Sequence, residues 1–323
     1  MSKPVNAVRL LDRHPSTDDI RGDVLNGLRQ APKRLSSKYF YDAIGSALFD
    51  RICEQPEYYL TSTELAIMRE HVADMATALG PDVLLMEYGS GSGVKTRILL
   101  SHLRSPVAYV PVEISRSALL DSIKSLSAIF PDVEMLPLCA DFTEFVVPPT
   151  PSRRERRTVI YFSGSTLGNF DARQALAVLC RMDEEMGAGG GALIGIDLKK
   201  DPQEIEAAYN DVAGVTAQFT LNMLARFNRE LGANFDLSRF RHRAHYNPMA
   251  GRIETHIISR CDQRIEVAGE CIHFAEAEAM LVEYSCKYSL AEFATLAAKA
   301  GLRVAQVWTD SAERFSVQYL VRQ

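Results

Sequence analysis

The sequence predicts an α/β fold in which helices cover both faces of a parallel sheet, and three observations support this prediction. Between about residues 62 and 200, five near-continuous apolar runs alternate with segments of helical spacing, as expected of buried parallel strands joined by helices. The first run, 84–88, leads into a glycine-rich turn at 89–93. The chain ends in one helix and two strands. With 323 residues, 47% of them hydrophobic, the chain can bury one or two cores.

The predicted elements of this region follow one another regularly. A helix is predicted at 63–79. Thr61, Ser62 or Thr63 can cap it, because hydroxyl oxygens accept hydrogen bonds from the free N–H groups of a helix start. The strands are predicted at 84–88, 107–112, 133–138, 158–162 and 192–197, and the intervening helices at 94–103, 116–129 and 171–186. Glycines at 187 and 189–191 end the last of these helices.

The second part of the chain does not continue this alternation. Residues 203–231 have helical spacing, whereas residues 240–287 have the period-2 alternation of antiparallel strands. The final elements are predicted as a helix at 289–300, capped by Gly301, and strands at 303–309 and 315–321.

The change of rhythm at residue 200 predicts two domains. The sheet domain would comprise 62–200 and 287–323. Residues 201–286 would form an inserted α+β domain, which we expect residues 1–61 to join because they show no strand rhythm of their own. Neither internal repeats nor long low-complexity segments are apparent.

Composition argues against nucleic acid and membrane as partners. The formal net charge is -5, whereas nucleic-acid-binding surfaces normally carry a basic excess. The basic run at 153–157 follows a proline-rich stretch and is interpreted as a solvated loop. No apolar stretch approaches the length of a membrane span, and residues 1–6 lack the apolar region of a signal peptide.

The cysteines and histidines predict a cytoplasmic protein without a metal. Six cysteines show no Cys-x-x-Cys spacing and are interpreted as free thiols. His242, His245 and His256 are close in sequence, but no acid or cysteine stands at ligand spacing. We therefore expect surface or strand histidines, an expectation that stoichiometric zinc in the purified protein would overturn.

The glycine-rich turn predicts a cofactor site without identifying the cofactor. Gly89, Gly91 and Gly93 allow a tight turn and a close approach of the backbone to a ligand. This pattern fits a nicotinamide enzyme as readily as a methyltransferase. Glu113 ends the next predicted strand at the spacing of about 20 residues expected of an acid that binds ribose hydroxyls, which also fits both classes.

Residues further along favour the methyltransferase. Asp141 and Phe142 follow the third apolar run, where class I S-adenosylmethionine-dependent methyltransferases place an acid and an apolar residue around the adenine. Asp141 could accept from the exocyclic amine while Phe142 packs on the ring. Residue 94 is valine, whereas the dinucleotide motif needs a glycine there. An ordinary strand, turn and helix with solvated acids explains any one of these residues. It does not explain why Glu87, Gly89, Glu113 and Asp141 follow one another in this order.

Several motifs together identify a closer resemblance. They are Lys38-Tyr39-Phe40-Tyr41-Asp42, Pro56-Glu57-Tyr58-Tyr59, Gly164-Ser165-Thr166-Leu167-Gly168-Asn169-Phe170, Tyr209-Asn210-Asp211 and Glu283-Tyr284-Ser285-Cys286-Lys287. From about residue 20 to 322, the chain resembles the histidine-specific S-adenosylmethionine-dependent methyltransferases that make histidine betaine (hercynine) in ergothioneine biosynthesis. The resemblance implies a class I methyltransferase sheet with an inserted substrate-binding domain, trimethylation of the α-amine of L-histidine, and by analogy a monomer.

The resemblance also implies site residues. S-adenosylmethionine would be bound by Gly89, Lys95, Glu113, Asp141 and Phe142. The substrate would be bound by Tyr58, Gly164, Asn169, Tyr209, Thr255, Glu283 and Ser285. Among the latter, Tyr58, Asn169 and Tyr209 would surround the amine and carboxylate, and Glu283 with Ser285 would hold the imidazole. Tyr41, Asn169 and Tyr209 are the catalytic candidates, with Tyr41 guiding or accepting the leaving proton.

Two positions depart from the family pattern, and two assignments have alternatives. Glu113 stands where the family has aspartate, and Thr255 stands where a methionine is expected. A smaller, polar residue at 255 leaves open a second function, N-methylation of another amino acid or small amine. Lys95 could merely decorate its helix, and Glu283 could pair with Lys287. A third possibility is a regulatory protein that binds the cofactor without catalysis.

The residue types suit the expected chemistry. Methyl transfer needs an unprotonated amine, and hydroxyl and amide groups orient a nitrogen without the negative charge that would keep it protonated. The trimethylated product is a quaternary ammonium, which aromatic faces attract by about 0.5–2 kcal/mol. Tyrosines and a phenylalanine at 39–41 and 58–59 provide such faces.

Overall fold

The computed structural model describes residues 10–13, 20–91, 93–114 and 116–323. Its helices are α1 Ile20–Arg29, α2 Ala43–Cys53, α3 Tyr59–Leu79, α4 Val94–Leu100, α5 Arg116–Ile129, α6 Ala172–Met186, α7 Pro202–Ala207, α8 Val215–Leu231 and α9 Leu290–Lys299. Its strands are β1 Leu11–Asp12, β2 Val83–Tyr88, β3 Ala108–Glu113, β4 Glu134–Met135, β5 Leu138–Cys139, β6 Arg157–Phe162, β7 Gly191–Asp197, β8 Phe240–Asn247, β9 Arg252–Ser259, β10 Gln263–Val267, β11 Glu270–Phe274, β12 Ala279–Cys286, β13 Leu302–Thr309 and β14 Phe315–Arg322. Short 3₁₀ turns stand at Ser37–Phe40, Thr166–Asn169 and Leu237–Arg239.

The main sheet has the strand order β1-β5-β3-β2-β6-β7-β14-β13, with β4 also paired to β3. Its strands are parallel as far as β7, and β14 and β13 then run antiparallel as a closing hairpin. Buried side chains of α3, α4 and α5 cover one face, and those of α6 and α9 cover the other. The predicted class I methyltransferase sheet is therefore confirmed. Since β2, β3, β5, β6 and β7 are parallel, their carboxyl ends meet at one edge.

A third apolar core lies outside the main sheet. Side chains of α1, α2 and α8 pack there against the strands of the second half of the chain. The antiparallel sheet β12-β9-β8 and the hairpin β10-β11 confirm the period-2 prediction for 240–287. The chain enters this region after β7 and leaves it through β12, so these elements stand beside the carboxyl edge of the main sheet.

Three details of the sequence prediction are wrong. The helix predicted at 63–79 begins at Tyr59, and no side chain caps it. Tyr59 and Leu60 are buried, and this burial extends the helix towards the N-terminus, so that the hydroxyl residues at 61–63 lie inside it. The strand predicted at 133–138 is split into β4 and β5, since Pro137 between them has no N–H to donate. The N-terminal segment contributes β1 to the main sheet, and two residues are too few to show a strand rhythm.

The ends of the other predicted elements agree with the structure within a few residues. Gly301 follows α9 with a φ of +77°, the left-handed conformation that ends many helices. Ser92, within the predicted glycine turn, and residues 1–6 lie outside the described residues. None of the helices in the described ranges combines the length and apolar character that crossing a bilayer demands.

Candidate active site

The glycine turn after β2 borders open space. Gly89 and Gly91 have φ angles of +69° and +47°, which residues with a Cβ adopt at a cost of about 1–2 kcal/mol. A Cβ built on either residue would have no atom within 4 Å. The backbone at the end of β2 is therefore exposed to a space that a ligand can fill, which fits the predicted cofactor.

The two acids predicted to bind the cofactor end neighbouring strands. Glu113 is paired in register with Cys139, so Asp141 follows two residues later at the same edge. The Asp141 Oδ1 atom accepts from the backbone N–H of Thr143 at 2.8 Å and from its hydroxyl at 2.6 Å. These bonds fix the carboxyl group and leave Oδ2 for a ligand.

Phe142 belongs to an aromatic cluster behind this edge. Its ring stacks on Tyr88 with the centroids 5.3 Å apart and an interplanar angle of 11°. Phe162 and Phe170 pack against it in T-shaped arrangements, with the ring centroids 5.4 Å and 6.4 Å from that of Phe142. The position of the Phe142 ring is therefore fixed by packing, which suits a residue that supports a flat ligand.

Lys95 has a partner that the sequence did not reveal. Its Nζ atom lies 2.6 Å from Oε2 of Glu64, whose side chain is buried in α3. The same carboxylate accepts the Gly164 N–H at 3.1 and 3.0 Å. Glu64 thus joins a cofactor candidate to a substrate candidate. The sequence contains one signal for this role of Glu64. Glu64 precedes Ile67 and Met68 by three and four residues, which places an acid on the apolar face of the helix.

Glu87 is a core residue and not a ligand at the sheet edge. Thr96 and Tyr109 donate to its Oε2 atom at 2.7 and 2.5 Å. Burial raises the pKa of Glu87 to about 7, although both hydrogen bonds oppose the rise. Unlike Gly89, Glu113 and Asp141, Glu87 is therefore not expected to contact the cofactor.

The raised pKa of Glu87 predicts a pH-dependent stability. A group whose folded pKa exceeds its unfolded pKa contributes stability below the unfolded value, and this contribution is lost as the pH rises through the folded value. For Glu87 the window runs from about 4.5 to about 7. The difference in unfolding free energy between Glu87→Gln and the wild type should shift by about 2–3 kcal/mol in favour of the variant between pH 5 and pH 8. Urea denaturation at both pH values tests this, and a difference independent of pH would contradict it.

The predicted substrate tyrosines meet in an aromatic cluster. The Tyr58 ring lies edge-on to Tyr209, with centroids 6.2 Å apart, and contacts Phe49 at 6.2 Å. The centroid of the Tyr41 ring lies 5.8 Å from that of Phe49 and 5.5 Å from that of Phe219. The structure thus brings together side chains from residues 41–58 and 209–219, two regions that are far apart in sequence.

Tyr41 connects the two halves of the site. Tyr41 is 41% exposed, and its ring packs against Phe49 and Phe219. Burial and then the Glu283 carboxylate raise the pKa of Tyr41 above the ordinary phenol value, and Glu113 acts in the same direction. Tyr41 is therefore a neutral phenol at physiological pH, which can orient an amine but is a poor proton acceptor.

Glu283 and Thr255 face each other across two strands. They are register partners of β12 and β9, next to a bulge at Leu281. The Thr255 hydroxyl is buried and donates to Oε2 of Glu283 at 3.2 Å. Burial raises the pKa of Glu283 to about 7, with the Thr255 bond opposing it. The residue that departs from the family pattern therefore holds the carboxylate that is expected to recognise imidazole.

The alternative pairing of Glu283 with Lys287 does not occur. Lys287 Nζ lies 2.6 Å from Oδ2 of Asp197, and both side chains are 0% exposed. It also donates to the Tyr209 hydroxyl at 2.8 Å and to the Ser285 hydroxyl at 2.9 Å. The two hydroxyl oxygens are 2.7 Å apart. Asp197, at the carboxyl end of β7, and Lys287 are site neighbours that the sequence analysis did not assign.

Asn169 and Gly164 occupy the loop after β6. Asn169 ends the 3₁₀ turn Thr166–Asn169, and its side-chain amide makes no hydrogen bond to any other described residue. Gly164 has a φ of +72°, and a Cβ there would lie 3.4 Å from Lys95 Nζ. Because its N–H is bonded to Glu64, Gly164 has only its carbonyl oxygen to offer a substrate.

Two of the three histidines considered as metal ligands, His242 and His245, make other contacts, and His256 lies on β9 as the register partner of Arg243 on β8. The ring nitrogens of His242 lie 3.0 Å from the Thr220 hydroxyl and 2.9 Å from the Tyr209 carbonyl oxygen. His245 lies 3.2 Å from a Glu206 oxygen. Within the described part of the chain, no three histidine, cysteine or acidic side chains form a group that could hold a metal ion. His242 instead supports the segment that carries Tyr209.

Comparison with known proteins identifies one family. The family model described as "Histidine-specific methyltransferase, SAM-dependent" matches residues 20–322. The histidine N-alpha-methyltransferase of Mycolicibacterium smegmatis is 39% identical over 313 residues, covering 95% of this chain and 96% of that protein. The Mycobacterium tuberculosis protein of the same description is 39% identical over 92% of this chain and 93% of its own. Ergothioneine biosynthesis protein 1 of Neurospora crassa is 27% identical over 88% of this chain and 33% of its own length.

Proposed function

Because the chain belongs to the family of histidine-specific, S-adenosylmethionine-dependent methyltransferases, we propose that its site trimethylates the α-amine of L-histidine to hercynine. The chain is thus a histidine N-alpha-methyltransferase that acts at the start of ergothioneine biosynthesis. The observation that carries the proposed site is the pair Glu283 and Ser285. They stand two residues apart on one strand, next to the Tyr209 hydroxyl, and offer an acceptor and a hydroxyl to an imidazole.

The cofactor would lie along the carboxyl edge of the main sheet. The open backbone at Gly89 would approach it most closely, Glu113 would accept from the ribose hydroxyls, and Asp141 would accept from the adenine amine while Phe142 supports the ring. Lys95 keeps 21% of its side chain exposed beside its bond to Glu64, so its ammonium can also meet a carboxylate. When bound, S-adenosylmethionine supplies a methyl group on a positively charged sulfur.

The amino acid would lie between this edge and the antiparallel sheet. Its imidazole N–H would donate to Glu283. Its amine and carboxylate would reach Tyr58, Asn169 and Tyr209. A site built to hydrogen-bond its ligand rejects analogues that leave the buried groups unpaired, and the Thr255 bond holds the Glu283 carboxylate in place for this discrimination.

The residues around the amine favour its unprotonated form. An α-amine in a peptide has a pKa of about 7.7–8.0, and that of a free amino acid is higher, so the site must disfavour the ammonium. Partial burial among the phenols of Tyr41 and Tyr58 does so, because uncharged hydroxyls add no carboxylate beside the nitrogen. Tyr41 would orient the lone pair, and the proton would leave through solvent at the exposed side of Tyr41.

The quaternary product would be accommodated by the aromatic cluster. A trimethylated nitrogen donates and accepts no hydrogen bonds, whereas ring faces attract it by about 0.5–2 kcal/mol. The rings available are those of Tyr41, Phe49, Tyr58, Tyr209 and Phe219. Tyr39 and Tyr59 are buried with their hydroxyls bonded to Asp23 and Asp197, and neither is among these rings.

We further propose that the chain divides by task. Residues 62–200 and 287–323 would bind the cofactor, and residues 1–61 and 201–286 would bind the substrate, with β1 as an N-terminal contribution to the first unit. The separate apolar core formed by α1, α2, α8 and the antiparallel strands supports this division.

Mass spectrometry after incubation with S-adenosylmethionine and a panel of amino acids tests the proposed activity. We expect a gain of three methyl groups on histidine. Methylation of another amino acid or small amine in preference to histidine would instead support the alternative that Thr255 suggested. Binding of the cofactor without any methylated product would contradict the proposed function.

A further inference from the structure

The hydroxyl groups of Tyr209 and Ser285 share one buried ammonium. Lys287 has three N–H donors, and they are directed to Asp197, Tyr209 and Ser285 at 2.6, 2.8 and 2.9 Å. Although burial opposes the charge, the Asp197 carboxylate and the Tyr209 hydroxyl raise the pKa of Lys287 above its ordinary value. Lys287 is therefore a permanent cation whose donors are all used within the protein.

This arrangement fixes what the hydroxyl pair can offer a ligand. Each oxygen accepts from Lys287, and the oxygens are 2.7 Å apart, so one hydroxyl donates to the other. The oxygen that accepts twice has used its lone pairs, and its own proton remains. Whichever way the central bond points, one proton is left over. The pair therefore has one proton to donate to a ligand, and the hydroxyl that donates within the pair keeps one lone pair.

We propose that Lys287 is a positioning residue that makes the Tyr209–Ser285 pair a donor for the α-carboxylate of the bound amino acid. This inference rests on the proposed function, which places an amino acid beside the pair. A hydroxyl that accepts from an ammonium is polarised, and a bond from it to an ionised acceptor is about twice as strong as one between neutral groups. Among the groups of histidine, only the carboxylate is an anion, so it gains most from this donor.

Lys200 provides an internal comparison. Its Nζ atom lies 2.6 Å from Asp197 Oδ1 and 2.7 Å from the Tyr59 hydroxyl, and its side chain is 8% exposed. Both lysines therefore pair with the same carboxylate, but only Lys287 bonds to the hydroxyls of Tyr209 and Ser285. Replacing either lysine removes a partner of Asp197, whereas only one replacement changes the hydroxyl pair.

Calorimetric binding of histidine and histamine, with S-adenosylhomocysteine present, tests the proposal. Histamine keeps the imidazole and the amine but lacks the carboxylate. For Lys287→Met we expect the Kd for histidine to rise about tenfold, as for the loss of one bond to a charged group, while the Kd for histamine changes less than about twofold. For Lys200→Met the ratio of the two Kd values should equal that of the wild type.

The proposal would be overturned if Lys287→Met weakened the binding of histidine and of histamine by the same factor. It would also be overturned if Lys200→Met changed the ratio of the two Kd values as much as Lys287→Met does. If Lys287→Met does not fold, the double variant Tyr209→Phe/Ser285→Ala removes both hydroxyls and retains the Lys287–Asp197 ion pair. The preference for histidine over histamine should then fall about tenfold, and an unchanged preference would contradict the proposal. Failure here is separable from failure of the proposed function, because the latter requires that the wild type not methylate histidine.

Discussion

Replacing Glu283 with alanine will raise the KM for histidine at least about a hundredfold and leave the Kd of S-adenosylmethionine within about twofold. The variant removes a hydrogen bond to a charged group, worth about 1.5–3 kcal/mol, and leaves the bound imidazole N–H without a partner, at a further cost of about 1–3 kcal/mol. Since each 1.4 kcal/mol is a factor of ten in affinity, the two effects together correspond to a factor of about 10² or more. The cofactor contacts lie on other strands and remain.

Glu185 provides a matched control for this variant. Its carboxylate is also buried, with a pKa that burial raises to about 7. It accepts from the Tyr88 hydroxyl and, at 2.7 Å, from the Val146 N–H. Because these contacts belong to the core below the cofactor edge, Glu185→Ala should lower the unfolding free energy without a selective effect on the KM for histidine. Unaltered histidine kinetics in Glu283→Ala would remove its recognition role.

The second large effect is expected at the glycine turn. Gly89→Ala should raise the Kd of S-adenosylmethionine about tenfold to a hundredfold, because the new methyl group would occupy the open space beside the backbone. Overpacking of this kind costs about 1–3 kcal/mol. Calorimetry with the folded variant measures the effect directly, and the KM for histidine at saturating cofactor should change little.

Gly187→Ala separates cofactor exclusion from backbone strain. Gly187 ends α6 with a φ of +65°, and a Cβ there also meets nothing within 4 Å. Both variants therefore place an alanine at a positive φ, and both should lose unfolding free energy. Only Gly89→Ala should weaken cofactor binding. Equal cofactor affinities in the two variants would show that the space at Gly89 is not the cofactor site.

The parallel sheet was predictable because its strands are buried on both faces. Each such strand is a continuous apolar run, so β2, β3, β6 and β7 could be placed to within a residue or two. The signal fails for β1 and for the divided strand at Pro137. There, pairing with neighbouring strands, rather than local composition, determines the structure.

The polar residues of the site divide in the same way. Residues within a recognised motif, such as Tyr58, Glu283 and Ser285, could be assigned from the resemblance. Glu64 and Asp197 could not, because the contacts that place them in the site, with Lys95 and Gly164 for Glu64 and with Lys287 for Asp197, join segments far apart in sequence. The Asp197–Lys287 pair joins the end of β7 to the segment after β12, a contact that no local spacing predicts.

A structure of the protein with histidine and S-adenosylhomocysteine bound tests the central claim most directly. We predict that the imidazole N–H donates to Glu283 and that the α-nitrogen lies in line with the thioether sulfur, at a distance that leaves room for one methyl group. Histidine bound in the reverse orientation, with its carboxylate near Glu283 and its imidazole towards the sulfur, would contradict this account.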